Sequence, residues 1–213
     1  MRKLTLTCFT LAVLLVMGTA FASDTIDWGV LGPAYTVLTT PQRWGSYYLQ
    51  EGFVGVRNGN DFERRDQGNG WSGNFFPGEH LIWNQGGFGQ TGIDIGVLFD
   101  EPVYGGGSQI QAGYLGPFTA TLTAYDIGGF VIGTTVMLGN STSAGDGSAI
   151  FISFTSASRN VSFLDFNVVD QYGGDSLAIG TVTFYDTPEP SSLLLLGSGA
   201  LGLAGVIRRK LRF

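Results

Sequence analysis

One cysteine, one histidine and two lysines are all that this 213-residue chain holds of those residue types. The cysteine, Cys8, sits in an apolar run at the N-terminus. A body without it has no disulfide, no thiol nucleophile and no cysteine-ligated metal. A single histidine, His80, excludes a histidine-cluster metal site. Both lysines lie in the terminal tails, Lys3 beside Arg2 and Lys210 among Arg208, Arg209 and Arg212. Residues 23–187 therefore keep five arginines against sixteen acids, a formal charge of −11, whereas the whole chain carries −6. So acidic a body repels phosphate backbones and anionic lipid, so nucleic acid is not an expected partner. Long helical periodicity is also missing between residues 23 and 186, and no repeat of fixed period is present.

What the chain does have begins at its ends. Arg2 and Lys3 precede an apolar core from Leu4 to Val16, and Ala20-Phe21-Ala22 supplies the small-x-small pattern that signal peptidase accepts. The expected cut follows Ala22, making 1–22 a signal peptide. The rival reading, an uncleaved anchor, is disfavoured because the run falls short of the roughly 20 residues a helix needs to cross hydrocarbon. At the other end, Pro188-Glu189-Pro190 leads into an apolar run from Ser191 to Ile207 and then the basic end Arg208-Arg209-Lys210-Leu211-Arg212-Phe213. The two prolines fix φ and disfavour helix before them, which predicts an extended, accessible tripeptide. Seventeen residues sit at the lower edge of a membrane span, read here as a single hydrophobic helix. Arg208, Arg209 and Lys210 act as a stop that leaves the C-terminus cytoplasmic and the body outside.

This C-terminal sequence of acidic tripeptide, Leu193–Gly205 run and basic cluster resembles the PEP-CTERM sorting signal, whose C-terminal element is also called an ice-binding protein C-terminal domain. The resemblance covers residues 188–213. It implies an exported bacterial protein whose helix holds it in the inner membrane until exosortase cuts the signal and the body reaches the cell surface or the medium. Proteins of this kind occur where extracellular polysaccharide or biofilm matrix is made, which makes polysaccharide an implied partner. The alternative is a tail anchor that is never cut.

Between the ends, short runs of β-branched and aromatic residues are broken by Gly, Asn and Asp. Strands are expected at Ile93–Phe99, Phe118–Tyr125, Phe130–Leu138, Ala149–Phe154, Val161–Val168 and Leu177–Tyr185. Thr119-Ala120-Thr121-Leu122-Thr123 alternates as a strand with one wet face should. Asp126-Ile127-Gly128-Gly129 predicts the hairpin turn after it. Turn signals every 8–12 residues or so point to an all-β fold for 23–187, an antiparallel β-sandwich or jelly roll. Residues 92–186, through Gly96–Val103, Tyr114–Asp126 and Ala178–Phe184, are also similar to the jelly-roll bodies common in PEP-CTERM proteins. Where many of those carry Asp followed by Asn or Asp in a final strand, this chain has Gly180-Thr181, so no ligand site is carried over.

The candidate sites are few. All four tryptophans, Trp28, Trp44, Trp71 and Trp83, fall in the N-terminal half. They either fill the core or, for Trp71 and Trp83, form an exposed platform on which sugar rings stack. Asn58–Gly70 is the most polar segment and reads as a solvated loop, with Arg64 and Arg65 pairing neighbouring acids; a Ca²⁺ site there stays open. Asp146 reads as a turn residue. Glu79-His80 has no nucleophile motif nearby, and no pair among the acids is singled out for glycoside hydrolysis. Thr119, Thr121 and Thr123 form a row of the sort ice binders display, and equally the polar face of any half-wet strand. The expectation is a non-enzymatic, structural or adhesive matrix protein with no catalytic residue, cofactor or metal. A carbohydrate-binding module and a secreted glycan-acting hydrolase are the alternatives.

Overall fold

The computed structural model describes residues 21–39, 41–44, 47–51, 62–85 and 94–188. Residues 1–20 of the predicted signal peptide, Ala20 among them, the helix expected at 191–207, and Glu189, Pro190, Arg208, Arg209 and Lys210 lie outside them, whereas Ala22 is in the strand that begins at Phe21. Among the described residues no helix is long and apolar enough to cross a membrane. The chain divides into a compact unit, Ser23–Asp186, and a second made of its two ends, described only at 21–22 and 187–188.

The described residues form fourteen strands: β1 Phe21–Ile26, β2 Val37–Leu38, β3 Gln42–Trp44, β4 Tyr47–Glu51, β5 Phe62–Gln67, β6 Gly70–Trp71, β7 His80–Trp83, β8 Ile95–Val103, β9 Gly105–Ala112, β10 Gly116–Tyr125, β11 Val131–Ser141, β12 Ile150–Thr155, β13 Val161–Asp170 and β14 Leu177–Pro188. One 3₁₀ turn, Trp28–Leu31, interrupts them. They form a two-sheet sandwich. The first sheet runs β12-β9-β14-β7-β5-β2, with β1 beside β14 and β6 beside β5; the second runs β11-β10-β13-β8-β4-β3. Along both strand orders the pairings are antiparallel, and the short β5–β6 contact is parallel.

Alternation decides what enters the core. On β10, Phe118, Ala120, Leu122 and Ala124 are buried while Thr119, Thr121 and Thr123 face outward, half-buried. Leu164, Phe166 and Val168 of β13 join them, and from the first sheet come Ile82, Ile110, Ile152, Ile179 and Val182, all fully buried. Trp28 closes this core, and its indole N–H donates to the Gly180 carbonyl at 2.6 Å. The turn expected at Asp126–Gly129 is present: the Asp126 carboxylate accepts from the Gly128 and Phe130 amides at 2.8 and 2.9 Å.

A second apolar cluster, Phe75, Leu81, Ala149 and Ala178, has Trp71 and Trp83 packed against it. Leu81 and Ala178 neighbour the core residues Ile82 and Ile179 in β7 and β14, so they point to the opposite face of the first sheet. The connection from Trp71 to Glu79 thus covers the outside of that sheet, with Phe75 as its buried plug.

One expectation is corrected here. The polar segment read as a solvated loop contains β5, in which Phe62, Glu63, Arg64 and Gln67 are buried. Such a strand can be buried because alternation sorts its charges into opposite pairs. Arg65 reaches Glu63 at 2.9 Å on one face, and Arg64 reaches Asp66 at 2.5 Å on the other. The pairing of both arginines with neighbouring acids is as the sequence suggested.

Candidate functional site

The outer face of the first sheet carries a cleft of about 210 Å³ lined by Arg65, Gly70, Trp71, Ser72, Trp83 and Gly113. Antiparallel register sets Glu63 opposite Trp83 and Arg65 opposite Leu81, so Glu63, Arg65 and Trp83 share that face. The Arg65 guanidinium lies 4.8 Å from the centre of the Trp83 ring and 4.4 Å from that of Tyr35. It therefore contacts two aromatic faces, an arrangement its planar, weakly hydrated cation favours. Its Nη2 donates to Glu63 at 2.9 Å and its Nη1 to the Gly70 carbonyl at 3.0 Å.

Tyr35 reaches this position through a left-handed backbone, φ 72°, uncommon for a residue with a bulky side chain. Backbone bonds from the Tyr35 amide to the Arg64 carbonyl, 2.7 Å, and from the Arg64 amide to the Thr36 carbonyl, 2.9 Å, hold it there. Gly70, at φ +93°, leaves the room: a Cβ there would stand 2.8 Å from Arg65 Cδ and 3.1 Å from Tyr35 Cζ.

Trp71 and Trp83 meet at 6.4 Å between ring centres, tilted by 55°. Both are half-buried. Trp83 donates its indole N–H to Ser176 Oγ at 3.1 Å, and Trp71 directs its own at Gln111 Oε1 at 3.5 Å. With both N–H groups turned to the protein, what the rings offer the cleft is apolar surface. Of the other tryptophans, Trp28 is core, and the Trp44 side chain lies outside the described residues.

A buried amide network fixes Trp71 from below. Gln111 Oε1 accepts from the Asn74 amide at 2.7 Å, and Gln111 Nε2 donates to Asn74 Oδ1 at 2.9 Å and to the Thr142 carbonyl at 3.0 Å. Asn74 Nδ2 donates to Thr142 Oγ1 and Ser148 Oγ, both at 2.7 Å, and Asn74 Oδ1 accepts from the Thr142 amide at 2.6 Å. Asp146 accepts from the Ser148 amide and hydroxyl, the turn role expected of it, and those bonds lower its carboxyl pKa.

The Glu79-His80 pair does different work. His80 Nδ1 lies 2.7 Å from Asp27 Oδ1, and Asp27 also accepts from the Gly29 amide at 2.9 Å, capping the 3₁₀ turn that carries Trp28. Burial pushes the Asp27 carboxyl up, but the Gly29 amide and His80 outweigh it, leaving it below the usual aspartate value. Burial raises Glu79, against bonds from the Phe76 and Thr181 amides. These residues hold the Phe76–His80 turn and the 3₁₀ segment in place. Among the described residues, no group of three or more potential metal ligands is present.

The fold and its terminus define a class: an all-β sandwich protein with a C-terminal sorting signal. Residues 186–210 match the PEP-CTERM protein-sorting motif, and Pro188, the first residue of its tripeptide, ends β14. The motif implies an exported protein that passes through a membrane-anchored intermediate and is processed by exosortase. No curated protein matches the chain. Among solved structures it is similar to a DUF4465 family protein from Bacteroides caccae, at 13% identity and TM-score 0.45, over 78% of this chain and 100% of that one. A second similarity, to the Glycosylation Associate Protein (Gap123) complex from Streptococcus agalactiae, has 10% identity and TM-score 0.29 over 68% of this chain and 26% of that one. At these scores neither likeness bears on function.

Proposed function

We propose that the body of this protein is a non-enzymatic adhesive module that binds uncharged extracellular polysaccharide in the Trp71–Trp83 cleft. In this reading signal peptidase removes 1–22 and exosortase removes the C-terminal signal. The acidic 23–187 sandwich is then delivered to the cell surface or the surrounding matrix. The observation that carries the proposal is the pair of half-buried indole rings, 6.4 Å apart, at the wall of an open cleft. Their N–H groups are engaged with the protein, so they present C–H-binding faces of the kind sugar rings stack on. Glu63 neutralises Arg65, so the cleft offers no free positive charge to select an acidic sugar. Tyr35, held in an uncommon backbone conformation, lays its ring against the cleft residue Arg65, and strain of this sort is found where a side chain must be presented.

The test is a glycan array probed with the protein and with Trp71→Ala and Trp83→Ala. Retention on neutral glycans that weakens about tenfold in either variant supports the cleft, a loss of about 1.4 kcal/mol. Binding that survives both substitutions, or no binding to any glycan, overturns it. Turnover of a bound polysaccharide would overturn the non-enzymatic part.

A further inference from the structure

We infer that β11 is a self-association edge, through which two copies of this chain join their second sheets into one antiparallel sheet. β11 ends the strand order of that sheet, and among the described strands its backbone ladder is with β10 alone. Its pairing with β10 is regular from Gly133 to Ser141, so the edge there is straight and carries no bulge. Edge strands normally block such pairing with a lysine, a proline, an inward charge or a bulge. The stretch Gly133–Ser141 has none of them: its only irregularity lies before it, between Val131 and Gly133, and residues 127–145 contain no charged residue and no proline.

Its surface is apolar as well as unprotected. Leu138 is 80% exposed and Val136 60%, on the outward face beside Thr119 and Thr121. The inner face is already used, since Thr135 Oγ1 donates to the Ser153 carbonyl of β12 at 2.9 Å and the Phe154 ring lies against Gly133. What remains open is the outward face and the edge itself.

Charge argues for a second copy as the occupant. A body with sixteen acids and five arginines repels its own kind over most of its surface. The eleven-residue edge of β11 carries no charge, so two such bodies can meet there without opposing carboxylates. A basic partner would be drawn to the acids and not to this strand. A two-fold axis at Met137 sets Val136 of each chain opposite Leu138 of the other, the pairing that buries both apolar side chains twice. The lining residues of the Trp71–Trp83 cleft are not on β11, so the paired form would carry two open clefts.

The experiment uses the full chain with Cys8→Ser and two differently tagged variants, Val136→Cys and Leu138→Cys, co-expressed and oxidised with copper–phenanthroline. Val30→Cys, exposed on the 3₁₀ turn, is the control for random collision. The expected result is a disulfide-linked heterodimer of the Val136→Cys and Leu138→Cys chains that exceeds either homodimer and is lost in the control. No heterodimer above the control, or homodimers as abundant as it, overturns the inference. Should the cysteine variants not accumulate, sedimentation of the unsubstituted chain in non-ionic detergent decides. Two chains per particle are expected, and one chain at every concentration overturns it.

Discussion

The Arg65 guanidinium lies 4.8 Å from the centre of the Trp83 ring and is anchored by hydrogen bonds to Glu63 and the Gly70 carbonyl. This contact ties a charged strand to the aromatic wall of the cleft. Arg65→Ala removes a stacked cation and leaves Glu63 without its partner, an expected cost of about 2 kcal/mol. Arg65→Lys restores only part of it, because an ammonium cannot match the fork or lie flat against Trp83 and Tyr35. Urea denaturation followed by tryptophan fluorescence checks both. A lysine variant as stable as the parent contradicts the stacking argument.

Asn74 is the node that fixes Trp71 and Phe75 over the first sheet. Asn74→Ala removes its amide bonds to Gln111, Thr142 and Ser148 and leaves buried donors and acceptors unpaired. The expected loss is about 2–3 kcal/mol, with a shift in Trp71 emission as its ring loses support. A change within about 0.5 kcal/mol, the range of ordinary surface substitutions, would show the network to be dispensable.

The pH dependence separates two carboxylates. Asp27 has a folded-state pKa below the unfolded one, so its contribution is present above about pH 4 and is lost as the pH falls through the folded value. Asp27→Asn should therefore be less stable than the parent at pH 7, with the deficit closing in acid. Glu79 is the reverse. Its raised pKa makes its contribution largest below about pH 4.3 and smaller as the pH rises through the folded value. Glu79→Gln should compare more favourably with the parent at pH 7 than at pH 4. Denaturation midpoints at the two pH values measure both, and parallel shifts in the two variants would contradict the assignment.

Much of the sandwich was legible because its long strands follow the two-residue period. The expected Phe118–Tyr125, Val161–Val168 and Leu177–Tyr185 lie within observed β10, β13 and β14. β9 was not, because Gly105-Gly106-Gly107 reads as a turn. In the fold these glycines admit close backbone approach, and a Cβ on Gly105 would stand 2.1 Å from the Phe154 carbonyl oxygen. β5 was missed because Glu-Arg-Arg-Asp reads as solvated. Its order, one acid and one arginine on each face of a strand, is the signal that could have revealed it. Trp71 and Trp83, the two tryptophans offered as a sugar platform, lie 6.4 Å apart between ring centres. Arg65, Tyr35 and Gln111 beside them depend on contacts between distant strands, which no local pattern announces.

Processing has its own prediction. Mass spectrometry of the exported protein should find an N-terminus at Ser23 and a C-terminus that ends short of Arg208. An intact Phe213 in the exported pool would mean that the sorting signal is kept as an anchor.

The most direct measurement of the account is a fluorescence titration of the protein with the neutral polysaccharide that retains it most strongly on the array. The account predicts a saturable change in tryptophan emission that vanishes in Trp83→Ala while the fold, read by circular dichroism, persists. Emission that does not respond to any bound glycan, or responds equally in Trp83→Ala, would contradict it.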